Sequence, residues 1–497
     1  MIQRKVIIAC QGEIALRLIR AAKHLGILPV ALCTQGEALP SFALYSEEIY
    51  WSSSPNPYAD QDAVLAAAAA TGAILVAPGY GPLAENSAFA SACESSGLKF
   101  IGPTATSIEL AGDKRRARRV AADHGIPVVP GGNVESLIDL QECAAQLGFP
   151  LLLKAALGGG GRGIRLVENA SRLREAWDEV DREARVAFGS SAVYVERYLG
   201  TAVRHIEVQV IGDQFGNVVA VGDRECSVQR RRQKIVEEAP APGLSKRLRQ
   251  QLHSAAVSFA RALEYVGAGT VEFLVLSPTE YYFIEMNARL QVEHPITEET
   301  SGVDLAAEMF RVAMGEHTQL TQPKIYAPRG VSIEFRICAE DPYTDFLPTS
   351  GSIDYVRFPG GPGVRVDSAL EQGFSLSAKF DSLCAKIIVT GATRTAALAR
   401  AKVALNELII AGVQTNVPFH YWLLNEETFV SGRYNLDISS KFPAKRQSDA
   451  NDVVVGALAA VSIVCEHVSS ENVHSLRKNS EGSSWQEVNH ECRSYGR

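Results

Sequence analysis

No Cys-x-x-Cys pair occurs in the 497 residues; nine cysteines stand singly from Cys10 to Cys492. That spacing excludes a zinc ribbon or a redox dithiol, offers no disulfide framework, and fits a reducing compartment. Long hydrophobic runs are also missing. Residues 63–78 are interrupted by Thr71-Gly72, and residues 453–465 fall short of the ~20 that a spanning helix needs. The chain opens MIQRKVIIAC and runs straight into a strand pattern, without the apolar core and cleavage site of a secretory signal. No membrane partner and a cytoplasmic location are therefore expected. Charge of one sign is scarce: 49 Lys plus Arg against 56 Asp plus Glu leaves −7, with no basic face for nucleic acid. A Gly-Lys-Ser/Thr ending to a phosphate loop is absent. The turn after the first apolar strand, Cys10-Gln11-Gly12-Glu13, has one glycine where a dinucleotide-binding turn has three.

What remains is an ordinary globular composition, 46% hydrophobic and 21% charged, long enough for about three domains. The first hundred residues alternate between short apolar strands (5–9, 29–33, 73–77, 99–101) and helical spacings (13–25, 60–70, 87–96), the pattern of a parallel α/β sheet. From about residue 112 the pattern changes. A helix to 124 is followed by a strand at 150–154, a glycine loop, a charged helix at 171–187, and strands at 193–199 and 205–211. After a helix at 246–265, strands at 270–276 and 281–292 flank the turn Ser277-Pro278-Thr279-Glu280, which predicts an antiparallel hairpin. Residues 330–437 mix strands (331–339, 384–390) with a helix at 396–408. The segment from about 443 is polar and serine-rich, which predicts a tail (443–497) that is not a folded domain.

The segment IEMNARLQVE (284–293) carries the most chemistry. Read as a strand, it puts Glu285, Asn287, Arg289, Gln291 and Glu293 on one face and apolar residues on the other. Glu272 adds a carboxylate inside the apolar run TVEFLV, a costly placement unless it is paired or binds metal. Two carboxylates and a carboxamide suit Mg²⁺ (or Mn²⁺), which shares its remaining positions with phosphate oxygens and water. Lys154, just before Gly158-Gly159-Gly160-Gly161-Arg162-Gly163, places a positive charge beside backbone that is free to cradle phosphate. Lys114 lies in the basic run AGDKRRARR, which alone reads as a solvated helix face. Lys234 lies in VQRRRQKIVEEAPA, where several positive groups in a few residues call for nearby anions.

Taken together and in this order, these segments resemble biotin carboxylase, an ATP-grasp enzyme. The resemblance rests on GEIALR (12–17), PGYG (78–81), GDK (112–114), GGGGRG (158–163), RHIEVQV (204–210), RRRQKIVEEAPAPG (230–243), GAGTVEF (267–273), EMNARLQVEHPITE (285–298), EFRICAEDP (334–342) and ELIIAGVQTNV (407–417). It implies an α/β and α+β protein: a Rossmann-like parallel α/β domain at 1–112, an ATP-grasp domain at 113–329 with a mobile glycine-rich lid at about 130–203, and a mixed α+β domain at 330–442. It implies that Lys114, Lys154, Gly160 and Gly161 meet ATP phosphates. Glu196, Arg197, Tyr198 and Leu199 would hold the adenine and ribose, with His205, Gln229 and Arg232 also at the nucleotide. Glu272, Glu285 and Asn287 would hold the divalent metal. Lys234, Arg289, Gln291, Val292 and Glu293 would form the bicarbonate site, and Arg336 would meet the biotin ureido oxygen near Tyr80. Lys234, Arg289, Glu293 and Arg336 are the expected catalytic set, with Glu293 as general base.

The same resemblance implies ligation of bicarbonate to biotin through carboxyphosphate, as the first half-reaction of an acyl-CoA carboxylase, acetyl-CoA carboxylase type and fatty acid biosynthesis foremost. The last methionine is Met314, so no Met-Lys-Met-like biotinyl turn follows. Biotin is expected on a separate carrier protein, with carboxyltransferase subunits as partners and a homodimer as one assembly. The chain departs from the family pattern at Cys10, Gln11, Ala77, Pro82, Leu157, Arg232 and Pro362. Two other readings stay open: an ATP-grasp ligase on another acceptor, and a non-catalytic assembly subunit.

Overall fold

The KVII strand after the N-terminus is buried at Val6, Ile7 and Ile8, as a parallel strand covered on both faces must be. In the computed structural model, which describes residues 4–155, 163–188, 192–318, 320, 328–376 and 381–443, this strand, β1 (Lys5–Ile8), is the centre of a five-stranded sheet. With β2 (Leu28–Thr34), β3 (Glu48–Ser52), β4 (Leu75–Ala77) and β5 (Lys99–Phe100) the order is β3-β2-β1-β4-β5, every pairing parallel. Helices α1 (Gly12–His24), α2 (Gln61–Thr71) and α3 (Ser87–Ser95) connect the strands. Strand β3 has no counterpart in the sequence reading. It lies at the sheet edge with Trp51 exposed, so it lacks the continuous apolar run that marks its buried neighbours. Gly79 of the PGYG turn has φ +61, and a Cβ there would come 2.8 Å from Ile14 Cγ1, so only glycine lets that turn rest on α1.

Asp113 ends α4 (Ala105–Gly112) and caps α5 (Lys114–Asp123), accepting from the Arg115 (2.9 Å) and Arg116 (3.3 Å) amides. The cap sets Lys114 in the first turn of α5. Strands β6 (Gly131–Val134), β7 (Leu151–Ala155), β8 (Ile164–Val167) and β9 (Val193–Arg197) form an antiparallel sheet of order β6-β9-β7-β8. Helices α6 (Leu137–Leu147) and α7 (Leu173–Phe188) accompany it, with a small core around Leu140, Leu151, Val180 and Val195. The glycines at 158–161, including Gly160 and Gly161, with Leu157 and Arg162, lie outside the described residues, as does the tail beyond 443.

Eight further strands make one antiparallel sheet, with three two-stranded ribbons of short strands from residue 340 onward apart from it: β10 (Arg204–Gly212), β11 (Val218–Arg230), β12 (Gln233–Ala239), β13 (Gly267–Ser277), β14 (Glu280–Asn287), β15 (Val331–Cys338), and the strands Leu383–Gly391 and Val364–Ser368. Its order is β14-β13-β10-β11-β12-β15, then Leu383–Gly391 and Val364–Ser368. The β13–β14 hairpin closes at Ser277 opposite Glu280, where the turn was expected. Helices α8 (Lys246–Ala262), α9 (His294–Ser301), α10 (Leu305–Ala313) and α11 (Arg394–Glu407) pack against this framework. Residues 1–442 form one compact unit. Among the described residues, no helix is long and apolar enough to cross a membrane.

Candidate active site

In an antiparallel sheet, directly opposed residues project from the same face. Register sets Arg224 of β11 against Glu207 of β10, Glu207 against Glu272 of β13, and Glu272 against Glu285 of β14. One row across four strands thus holds three carboxylates and a guanidinium. Their mutual repulsion requires cations, and the fold supplies them. Arg224, fully buried, bonds Glu207 and also donates to Gln209 (2.8 Å), Thr297 (2.8 Å) and Thr270 (3.0 Å). Lys234 of β12 reaches Glu207 (2.5 Å), Glu272 (2.9 Å) and Glu293 (2.6 Å) with a single ammonium. Burial disfavours the charge on Lys234, but these carboxylates outweigh it and hold the ammonium well above its ordinary range. Lys114 closes the far end on Glu285 (2.6 Å).

The strand expected at 281–292 stops at Asn287. The Ala288 amide donates to Glu85 Oε1 (2.9 Å) rather than to a neighbouring strand, and Glu85 Oε2 accepts from Arg289 Nε (2.9 Å). Residues 288–293 are therefore a loop, and Arg289, Gln291 and Glu293 reach the site through individual side-chain bonds, several of them to distant segments, not through a period of two. Arg289 also donates to Gln291 Oε1 (3.2 Å) and Asn287 Oδ1 (3.3 Å), and Gln291 Nε2 lies 3.5 Å from Glu272. Val292 gives its carbonyl to Lys386 (2.9 Å). Glu293 is buried between Lys234 and Arg336, whose Nη2 is 2.8 Å from Glu293 Oε2 and also meets Glu237. Burial raises the Glu293 pKa, but Lys234 and Arg336 prevail and keep it well below the usual carboxylate range. Glu237 goes the other way: burial pushes it up to about 7, with Arg336 only partly offsetting.

His205 of β10 stands 2.9 Å from Glu272 and 2.9 Å from Gln229 Nε2. Burial opposes its protonation, yet the Glu272 carboxylate raises its pKa from the ordinary value. Asn287 Nδ2 donates to Glu272 Oε1 (2.9 Å). Lys154 pairs with Glu196 across β7 and β9 (2.5 Å) and lies over the Tyr194 ring. Arg197 and Tyr198 are tied through their amides to the Pro130 and Pro150 carbonyls (2.9 and 3.0 Å), and Leu199 follows them. Arg232 sits at the β11–β12 turn with φ +68, with Tyr198 and Arg165 as electrostatic neighbours. Tyr80 donates to buried Glu13. The cationic run 228–234 thus has its anions within the protein: besides Lys234, Arg230 and Arg231 both pair with Asp345.

Lys234, Arg289, Gln291, Glu293, Arg336, Glu272, His205, Asn287 and Gln229 belong to one connected polar network, with Lys114 and Glu285 beside it. Sequence reasoning passed over Glu207, Arg224, Glu237 and Glu85. The first two carried a usable signal, a charge inside an apolar strand; Glu85 in a polar loop carried none. Glu272 and Glu285, opposed in register and with the Asn287 carboxamide beside them, offer the oxygen donors a hard divalent cation takes. The two lysines now neutralising those carboxylates mark where positive charge belongs.

The model "Biotin carboxylase, N-terminal domain" matches residues 2–108, "Carbamoyl-phosphate synthase L chain, ATP binding domain" residues 113–321, and "Biotin carboxylase C-terminal domain" residues 334–440. Biotin carboxylase of Pseudomonas aeruginosa is 45% identical over 443 residues, 88% of this chain and 98% of the relative. The chain belongs to the biotin carboxylase family. Biotin carboxylase 1 of Bacillus subtilis is 42% identical, covering 87% of this chain and 97% of that one. Among solved structures, the biotin carboxylase domain dimer of Hydrogenobacter thermophilus 2-oxoglutarate carboxylase, in complex with MgADP, ADP and bicarbonate, superposes with TM-score 0.86 at 39% identity (90% and 99% of the chains). A β,γ-ATP complex of Campylobacter jejuni biotin carboxylase gives 0.85 at 41% (88% and 98%).

Proposed function

We propose that this chain carboxylates biotin on a separate carrier protein, using Mg-ATP and bicarbonate, through the residues just described. The observation that carries the reading is the single Lys234 ammonium shared by Glu207, Glu272 and Glu293, with Arg336 on the other side of Glu293. It is an anion-binding cation next to an ionised base, next to a second cation.

Bicarbonate is held by Lys234 and Arg289, with Gln291 and the Val292 backbone completing its contacts. Glu293, kept ionised by its two cations, is in the form that accepts the bicarbonate proton. A bicarbonate oxygen attacks the γ-phosphorus in line, the bond to ADP breaks, and carboxyphosphate forms. Glu272, Glu285 and Asn287 would hold Mg²⁺ (or Mn²⁺), which neutralises charge on the phosphates when bound. Carboxyphosphate breaks to CO₂ and phosphate. Phosphate then takes the biotin N–H proton while Arg336 stabilises the enolate-like ureido oxygen, and the nitrogen attacks CO₂. Lys114, Lys154, Gly160 and Gly161 serve the ATP phosphates. Residues 196–199, with His205, Gln229 and Arg232, serve the rest of the nucleotide, and Tyr80 the biotin side.

The segments 1–112, 113–329 and 330–442 act as the three working parts. A carboxyltransferase of acyl-CoA type, acetyl-CoA first, receives the carboxyl group. A homodimer is the assembly that the Hydrogenobacter domain dimer supports. The test is ADP release from Mg-ATP with bicarbonate, with and without high free biotin. A rate that requires bicarbonate and rises with biotin is expected. Hydrolysis indifferent to biotin and to a biotinylated carrier would point to another acceptor, and no hydrolysis at all would sink the reading.

A further inference from the structure

Lys386 is fully buried on the strand Leu383–Gly391, opposed in register to Arg336 on one side and Asp367 on the other. It therefore shares the face of the sheet that carries Arg336. Its ammonium donates to the Val292 carbonyl (2.9 Å), stands 2.9 Å from Glu13 Oε1, and has Asp367 at 3.8 Å. Glu13, at the start of α1 and itself buried, accepts the Tyr80 hydroxyl on that same Oε1. An ammonium and a carboxylate taken out of water are costly even when paired, and such pairs can often be exchanged for apolar residues without loss of stability. Their presence calls for a task other than holding the fold. What the pair joins is specific. The Val292 carbonyl belongs to the loop 288–293, which has no strand partner among the described residues and takes a donor from elsewhere. Tyr80 belongs to the turn after β4, brought from the other end of the sequence.

We propose that Lys386 and Glu13 are positioning residues that set the bicarbonate loop, through the Val292 carbonyl, and the biotin-side Tyr80 from one buried ion pair. The two acceptor subsites then share one ion pair, and among the described residues that pair makes no bond to β7, β9 or β14, which carry the nucleotide end. This role rests on the activity proposed above.

Steady-state kinetics on the full chain separate the outcomes. Glu13→Gln and Lys386→Met are each expected to raise KM for bicarbonate and for free biotin together, by about fivefold or more, with KM for ATP within about twofold of wild type. Lys386→Arg, which keeps the charge, is expected to recover most of the loss. Tyr80→Phe and Glu13→Gln combined should raise the biotin KM little beyond the larger single effect, because both act on one contact chain. Folded variants with unchanged bicarbonate and biotin KM would overturn the role. So would an ATP KM that rises in step with the others, the mark of a merely loosened fold, or strict additivity of the double variant. Should Lys386→Met fail to fold, Glu13→Gln and the Tyr80 double variant decide the question alone. An inactive wild type would instead overturn the proposed activity and this role with it, an outcome distinct from failing variants beside an active wild type.

Discussion

Glu237 and Glu334 are cross-strand partners on β12 and β15, both wholly buried. Two carboxylates in that arrangement cannot both ionise cheaply, and Arg336 is shared with Glu293. Burial, with Glu293 adding repulsion against the Arg336 and Lys234 attraction, pushes Glu237 up to about 7, and Glu334 is raised well above the usual range with Lys386 and Arg336 opposing. A carboxyl raised in the folded state binds its proton more tightly folded than unfolded. Its contribution to stability is thus complete below the unfolded value near 4.5 and is lost as pH climbs through about 7. Glu237→Gln removes that loss. Its melting temperature relative to wild type should therefore improve steadily from pH 5 to pH 8, by the equivalent of about 3 kcal/mol at the upper end. A difference flat with pH, measured by calorimetry in matched buffers, would refute the assignment.

The residues of this cluster were unevenly legible in the sequence. Glu272 stood out because a charge amid TVEFLV demands a partner, and the same argument applied to Glu207 in HIEVQV and Lys386 in CAKIIV would have found both. Glu85 could not be found that way: it acts on Ala288 and Arg289 across about two hundred positions of chain from a loop where a glutamate is unremarkable.

Among the elements, the β11–β12 hairpin departs from the residues its turn geometry prefers. Arg230 pairs with Gln233, leaving Arg231 (φ 50) and Arg232 (φ 68) as the two central residues of the turn. A two-residue turn with positive φ at both positions favours Asn-Gly, and each L-residue there costs about 1–2 kcal/mol. Arg232→Gly relieves that cost but adds chain entropy to the unfolded state. A net gain of about 0.5–1 kcal/mol in urea unfolding is expected, together with a higher KM for ATP if the guanidinium serves the nucleotide. Unfolding at unchanged or lower urea would show that the turn is not strained. The strand reading of 281–292 failed at an element end for a related reason: alternation continues through LQVE, but Glu85 takes the Ala288 amide and the ladder stops. The parallel sheet of the first hundred residues was legible because buried strands are continuous apolar runs; edge strand β3, half-wet, was not.

For the whole molecule, the decisive feature is that one sheet carries both the acidic row of β10, β13 and β14 and the strands that follow residue 330. The joint is the β12–β15 pairing, where Val236 faces Phe335. Phe335 is fully buried against a core that includes Val228, Ile387, Leu405 and Phe419, and Arg336 follows it into the site. Segments that share a hydrogen-bonded ladder through their cores should not open independently. Phe335→Ala leaves a cavity at the joint and is expected to cost about 3–5 kcal/mol. If the sheet is one cooperative body, the variant's amide hydrogen exchange should accelerate in β10–β13 as well as in Leu383–Gly391, and Mg-ATP, by stabilising the liganded state, should slow both together. Acceleration confined to residues 331–442, with β10–β13 as protected as in wild type, would mean that the later strands open as a separate unit. Arg336 could then leave Glu293 without disturbing the nucleotide end. The shared sheet requires the first outcome, because no peptide of β12 can lose its β15 partner while the ladder between Val236 and Ala239 stays intact.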